Sequence, residues 1–226
     1  MPLQRLPLWI QLSALVLALN AGMMNSISLL TIAHQSISHM TGNVSMLAID
    51  SLNNDWRQVM FLLGVIACYV LGSFYSGFII RDAKLQLGRR YGSVLSLEAV
   101  FLLITWFSVE HYPHYALLWA AAALGMQNAM ASNYNGTIIR TTHLSGVLTD
   151  LGLALGYRAR GLYVDPRRIT LHVLIVAGFL IGGAVGVLVH AFLGRHAFLA
   201  PCAVIIVLMF TYWIYYWRVS RHLRED

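Results

Sequence analysis

The chain has 226 residues, of which 58% are hydrophobic and only 11% charged, with a mean hydropathy of +0.67 and a formal net charge of +6. A soluble domain carries about 25% charged residues to keep water on its surface, so this composition excludes a water-soluble globular protein. The two cysteines, Cys68 and Cys202, are too few for a zinc quartet and are interpreted as small packing residues.

Six apolar segments follow one another along the chain. Each has, or approaches, the roughly 20 residues that cross a bilayer as a helix. They predict one integral membrane domain over residues 1–226, with spans at 8–31, 56–80, 93–109, 114–131, 169–193 and 197–217.

Basic residues are distributed unevenly between the predicted connections. The connections after the second span, before the fifth and after the sixth carry most of the arginines and the only lysine, whereas Arg57 and Arg195 fall on the opposite side. Cytoplasmic connections of membrane proteins are enriched in Lys and Arg, so both termini are predicted to be cytoplasmic. The positive charge then indicates contact with anionic lipid headgroups and not with nucleic acid.

A polar motif occurs twice at positions where a membrane helix is normally apolar. Repeated polar, glycine-containing segments in apolar surroundings are typical of binding sites in small transporters. The first copy is Gly22-Met23-Met24-Asn25 with His39-Met40-Thr41-Gly42-Asn43, and the second is Gly125-Met126-Gln127-Asn128 with His143-Leu144-Ser145-Gly146-Val147.

Each copy of the motif leads into a segment that does not fit a further full span. Residues 37–40 and 137–142 predict extended chain, after which Thr41 or Ser145 can act as the N-cap of a short helix. A helix of about 11 residues rises roughly 16 Å, half of a hydrocarbon core. We therefore predict a dip into the membrane in each repeat, made of extended chain and a half-helix. The alternative is an amphipathic helix on each membrane surface.

The two copies define repeats at 8–109 and 114–217. Three spans per repeat is an odd number, so the second repeat is predicted to lie upside down relative to the first. The predicted fold class is an all-α polytopic membrane protein, in which six transmembrane helices form 3+3 inverted repeats. The N-termini of the two half-helices then meet near the bilayer midplane.

The facing half-helix ends are the predicted binding site. Helix N-termini carry unpaired N–H groups and a partial positive charge, which attract anions and ligands rich in hydrogen-bond acceptors. Gly42 and Gly146 would let a ligand approach the backbone closely. Polar side chains would complete the site, namely Asn25, Thr41, Asn43, Gln127, Asn128, Arg140 and Ser145. An alternative role for Asn25 and Asn128, compatible with the first, is to hold the dips by hydrogen bonds.

Three charged residues break the similarity of the repeats. Glu98 lies about two turns inside the third span, where a carboxylate indicates a proton site or an arginine partner. Asp150 stands in the second half-helix where the first copy has Met46, and Arg140 precedes that half-helix. Arg140 could pair with either acid or strengthen anion binding.

Sequence motifs of catalysis are missing from the chain. It has no Gly-x-Ser-x-Gly, no His-Glu-x-x-His and no phosphate-binding Gly-Lys-[Ser/Thr]. His39 and His143 have no nearby carboxylate in sequence to complete a metal site and are interpreted as structural. We therefore expect no enzyme, no cofactor and no metal.

The two motifs resemble those of the YoaK family, small six-span bacterial membrane proteins of unknown function. The resemblance rests on Thr41-Gly42-Asn43, on Gly125-Met126-Gln127-Asn128 and on Arg140-Thr141-Thr142, and it covers almost the whole chain. Ser145 stands where the family usually has threonine, and Asn25 stands near a position where aspartate is common. The resemblance implies the fold and a bacterial inner membrane, but no substrate.

The leading functional hypothesis is a secondary transporter or channel for a small anionic or acceptor-rich solute. Sulfate and nucleobase permeases hold their substrates in a similar arrangement, which is an analogy of fold alone. The alternative is a non-transporting membrane scaffold or assembly factor. The expected partners are a small-molecule solute and the lipid bilayer, and the sequence leaves monomer and homo-oligomer both open.

Overall fold

The computed structural model describes residues 8–31, 36–80, 88–132 and 141–225, and within these ranges the regular structure is entirely helical. The helices are α1 (Leu8–Thr31), α2 (Met40–Leu52), α3 (Trp56–Ile79), α4 (Arg89–Ser108), α5 (Pro113–Ser132), α6 (Leu144–Ala159), α7 (Pro166–Leu193), a 3-10 helix (Gly194–Phe198) and α8 (Leu199–Glu225).

Four helical segments of the described chain are long and apolar enough to cross a membrane. They are α1, α3, α4 and the stretch Pro166–Arg218, whose 53 residues contain α7, the 3-10 helix and α8. A straight helix of that length would measure about 80 Å, more than twice a hydrocarbon core, and the 3-10 helix interrupts it. Polar residues such as Gln127 and Asn128 lower the hydropathy of α5. The chain is therefore an all-α membrane protein, and the count of six spans stays a prediction.

Close backbone contact joins α1 to α7. A Cβ on Gly22 would overlap the carbonyl of Phe179, and a Cβ on Gly182 would overlap the carbonyl of Leu19. Residue numbers rise together along the two helices, which are therefore parallel, because Gly178 meets Leu15, Gly182 meets Leu19 and Gly186 meets Met23.

The same kind of contact joins α3 to α5. A Cβ on Gly125 would overlap the carbonyl of Tyr69, and a Cβ on Gly72 would overlap the carbonyl of Ala122. The Ser73 hydroxyl also donates to the carbonyl of Gly125 at 3.0 Å. These helices are parallel as well, because residue numbers rise together from the ring contact of Phe61 with His114, through Gly64 beside Leu118, to the Ser73–Gly125 hydrogen bond. Small residues at such crossings let backbones approach, which strengthens van der Waals packing where lipid leaves little hydrophobic driving force.

Helix α4 is antiparallel to both α5 and α8. Thr105 of α4 donates to the carbonyl of Ala116 of α5 at 3.3 Å across a tight hairpin. The start of α4 contacts the second half of α8, where the Tyr212 hydroxyl donates to the carbonyl of Gly88 at 2.9 Å and Trp213 Nε1 donates to Ser96 Oγ at 3.1 Å.

Buried residues concentrate on the central helices α1 and α5, whereas α2 and α6 each pack mainly on one neighbour, α3 and α7 respectively. Only Asn43 of α2 is buried, and only Val147 and Ala154 of α6. The two half-helices therefore lie on the flanks of the bundle.

Candidate functional site

Each half-helix begins directly after a histidine. The N-cap residues are His39 and His143, and neither helix end has a side-chain cap. The predicted N-caps Thr41 and Ser145 were wrong, since both lie in the first helical turn. In both helices the first N–H that bonds back to the capping histidine is four residues later, Asn43 to His39 at 3.0 Å and Val147 to His143 at 3.2 Å.

The glycine of each motif makes room for the histidine of the same motif. A Cβ on Gly42 would overlap the imidazole of His39, and a Cβ on Gly146 would lie 3.2 Å from Nδ1 of His143. Each ring thus folds back over the first turn of its half-helix. This packing explains the His-x-x-Gly spacing in both copies and lets each helix start right after the histidine.

Asn25 holds the residues that precede α2. Its side-chain nitrogen donates to the Ala21 carbonyl at 3.0 Å and to the Ser38 hydroxyl. Its side-chain oxygen accepts from the Ser36 hydroxyl at 2.8 Å and from the Ser38 backbone N–H at 3.2 Å. Asn43 adds a bond from its amide to the Ser36 carbonyl at 2.9 Å. The described residues 36–39 are non-helical, but Met40, predicted to be extended, is helical.

Asn128 makes the equivalent contact in the second copy. Its side-chain oxygen accepts the Thr142 backbone N–H at 3.4 Å, and its nitrogen donates to the Tyr69 hydroxyl at 2.9 Å. The structural role expected as one option for Asn25 and Asn128 is therefore present in the geometry.

Gln127 connects the two central helices. Asn20 of α1 donates to Gln127 Oε1 at 2.9 Å, and Gln127 Nε2 donates to the Leu17 carbonyl at 3.0 Å and to Thr141 Oγ1 at 3.3 Å. Gln127 is completely buried. It joins α1 and α5 instead of facing open space.

A cavity of about 1110 Å³ lies between the two half-helix ends. His39, Thr41 and Ser145 on its wall are exposed, so it opens to the surface of the protein. Equivalent residues of the two copies line it: Asn25 and Asn128, Ser38 and Thr142, His39 and His143, Met40 and Leu144, and Thr41 and Ser145.

The cavity contains some of the predicted site residues but not others. Its described lining includes Asn25, Thr41, Gly42, Asn43, Asn128 and Ser145. Gly146 and Gln127 lie outside that lining, and Arg140 lies outside the described residues.

The two predicted acidic residues also lie away from the cavity. Glu98 is fully buried on α4, and neither of its carboxylate oxygens has a hydrogen-bond partner in the described part of the chain. Asp150 is exposed on α6.

Sequence reasoning missed the aromatic residues of the site. Tyr69 of α3 and Phe179 of α7 both line the cavity, and both present their backbone carbonyls to the motif glycines Gly125 and Gly22. Tyr69 and Phe179 are 110 residues apart, which differs from the separation of the two motif copies, so the repeated motif does not point to them. The signal was in the sequence, because the capping residues Asp55 and Asp165 before α3 and α7 are also 110 residues apart.

Residues 13–211 match a family model described as "Protein of unknown function (DUF1275)". The chain belongs to this family. The resemblance to the YoaK family, itself of that type, is thereby confirmed. No curated protein and no solved structure matches the chain.

Proposed function

We propose that this DUF1275 protein is a secondary transporter or channel for a small anionic or acceptor-rich solute, bound between the N-termini of α2 and α6. The observation that carries the proposal is the cavity, because equivalent residues of both repeats line it. The first N–H groups of a helix have no carbonyl one turn earlier, and both helices lack a side-chain cap. Those donors and the positive ends of two helix dipoles then suit a ligand with acceptor atoms.

We also propose that six spans form 3+3 inverted repeats. Helix directions support this arrangement: α1 is parallel to α7, and α4 is antiparallel to α5. The end of α7 lies beside the end of α4, where Arg195 donates to the Glu110 carbonyl at 3.2 Å. It follows that α4 and α7 point the same way and that α1 opposes α5. The first helices of the two repeats then have opposite directions, as inversion requires.

The packing divides the bundle in a way that suits alternating access. Glycine contacts lock α1 to α7 and α3 to α5, whereas α1 and α5 contact each other much less extensively. The cavity lies between these two pairs and is lined from both. In many transporters one rigid group of helices rocks against another around a central site. We place the protein in the bacterial inner membrane with both termini cytoplasmic, as the basic residues predict.

Ligand-dependent thermal unfolding of purified protein tests the proposal. The probes are formate, nitrate, sulfate, phosphate and uracil, followed by uptake of any stabilising probe into proteoliposomes. A ligand at 100 times its Kd stabilises the folded state by about 2.7 kcal/mol. Ser145→Tyr fills the cavity wall and should abolish the stabilisation. Thr149→Tyr, one turn further on the same exposed face, should not.

Stabilisation by none of the probes would contradict the proposal. Binding without uptake would favour the alternative, a non-transporting membrane scaffold. Normal stabilisation of Ser145→Tyr by the ligand would show that the ligand site lies elsewhere.

A further inference from the structure

The cavity carries two imidazoles in equivalent positions. His39 and His143 are the N-cap residues of the two half-helices, and each ring packs over the first turn of its own helix, where Gly42 or Gly146 makes room for it. Both residues line the cavity. Imidazole is the side chain that ordinarily gains or loses a proton near physiological pH.

No permanently charged side chain lies among the described lining residues. The other titratable group there is Tyr69, whose hydroxyl accepts from Asn128 at 2.9 Å. The described part of α1 has no ionisable side chain, and that of α5 has only His114 and Tyr115 in its first turn. Ionisable residues on the other helices around the cavity are outside its lining, namely Asp50, Arg57, Cys68, Tyr75, Asp150, Tyr157, Arg158, Arg167, Arg168, His172 and His190.

We propose that this site binds a monoanion together with a proton, which His39 and His143 take up from solvent. This inference rests on the proposed function and adds the regulation of its site. Each imidazole lies at the start of its half-helix, beside the proposed anion position. A negative charge at that position favours an imidazolium next to it, so anion binding and proton binding strengthen one another by the same factor. Neutral imidazole, a proton and the anion become an imidazolium–anion pair with no net charge added to the membrane interior.

The coupling predicts a specific pH dependence. When one proton binds with each anion, affinity is highest below the range in which imidazole titrates. Above that range it falls about tenfold per pH unit. An uncharged ligand with the same acceptors brings no charge to neutralise, so its affinity should not change with pH.

Isothermal titration calorimetry of the full-length purified protein tests the inference with formate as the monoanion and uracil as the uncharged comparison. Titrations at pH 7.5 in HEPES and in Tris report proton uptake, because the two buffers release protons with different enthalpies. Formate should bind with about one proton, and uracil with none. Affinity for formate should fall about tenfold between pH 7 and pH 8.

Two variants test whether His39 and His143 are the residues that take up the proton. His39→Gln and His143→Gln keep a polar side chain but cannot become cationic, and each should reduce the proton uptake, with both together abolishing it. His196→Gln, an exposed histidine 3.7 Å from Glu110 and outside the described cavity lining, should leave it unchanged. The wild-type titrations in two buffers decide the coupling even where a variant fails to fold.

The outcomes separate the inference from the proposed function. Formate binding with no proton uptake, or uptake unchanged in the double variant, overturns the inference alone. Binding of uracil without binding of formate would also overturn the inference and leave the proposed function standing. Failure of every probe of the thermal panel to bind overturns the proposed function, and the inference with it.

Discussion

The side-chain oxygen of Asn25 accepts the backbone N–H of Ser38 at 3.2 Å. Asn128 makes the same contact with Thr142 at 3.4 Å in the second repeat. In each case an asparagine near the end of a central helix holds the residue that precedes the histidine cap. The two repeats therefore place their half-helices by one shared device, although sequence between the motifs differs.

Asn25→Ala should destabilise the protein more than Asn128→Ala. Asn25 makes four described hydrogen bonds and Asn128 makes two. Leaving buried polar partners such as Ser38 unsatisfied costs about 1–3 kcal/mol. Thermal unfolding in detergent measures the difference, with Asn53→Ala at an exposed helix end as the control. Equal melting temperatures for Asn25→Ala and the control would show that the network does not hold the segment.

The sequence predicted much of this arrangement, because the signals that mark it lie within short stretches of the chain. The repeated Gly-Met-x-Asn and His-x-[Thr/Ser]-Gly motifs mark the asparagines and the half-helices, because polar and glycine residues in an apolar chain stand out. The start of each half-helix was misplaced at Thr41 and Ser145, since capping preferences favour hydroxyl residues. The packing of His39 on Gly42 is a tertiary contact that those preferences do not contain.

Which helices pack against one another could not be predicted from the sequence. Gly22 and Gly182 signal close packing, but not that they pack on the carbonyls of Phe179 and Leu19. Gln127 was predicted to line the binding site because it belongs to the repeated motif. It is buried because it bonds Asn20 and Leu17, more than a hundred residues away. Contacts at that separation depend on the whole fold.

Four glycines should be intolerant of alanine. In Gly22→Ala, Gly72→Ala, Gly125→Ala and Gly182→Ala the new Cβ overlaps a backbone carbonyl of the partner helix, which cannot move as a side chain can. Such overpacking costs about 1–3 kcal/mol and should lower folded yield in size-exclusion chromatography. Gly77→Ala is the control, because its Cβ would meet nothing within 4 Å. A normal yield for all four variants would contradict the described helix pairing.

Replacing Glu98 should not destabilise the protein. Both carboxylate oxygens are buried and have no partner in the described part of the chain, so no described cation is left unpaired when the acid is removed. Glu98→Gln should unfold at about the wild-type temperature. Glu98→Leu should gain about 1–3 kcal/mol by removing an unsatisfied buried group. Chemical denaturation measures both, and a loss of stability in Glu98→Gln would instead indicate an ion-pair partner such as Arg140.

The connections at Asn54 and Arg195 should face the outside of the membrane, and the connection at Tyr163 should face the cytoplasm. In a background without Cys68 and Cys202, single cysteines at these three positions are treated with an impermeant maleimide on intact cells. Asn54→Cys and Arg195→Cys should react, and Tyr163→Cys should react only after lysis. All three sites are exposed, so burial does not interfere. Any other pattern would contradict the inverted repeats.

The accessibility of the cavity from the two sides of the membrane tests the central claim most directly. Thr41→Cys and Ser145→Cys place a thiol in the first turn of each half-helix, on the cavity wall. Leu52→Cys, at the exposed far end of α2, is the one-sided control. An impermeant maleimide is added to right-side-out and to inside-out vesicles. A transporter or channel predicts that both cavity positions react in both preparations, whereas Leu52→Cys reacts in right-side-out vesicles alone. Reaction of the cavity positions from one side only, or from neither, would contradict a solute pathway between the half-helices.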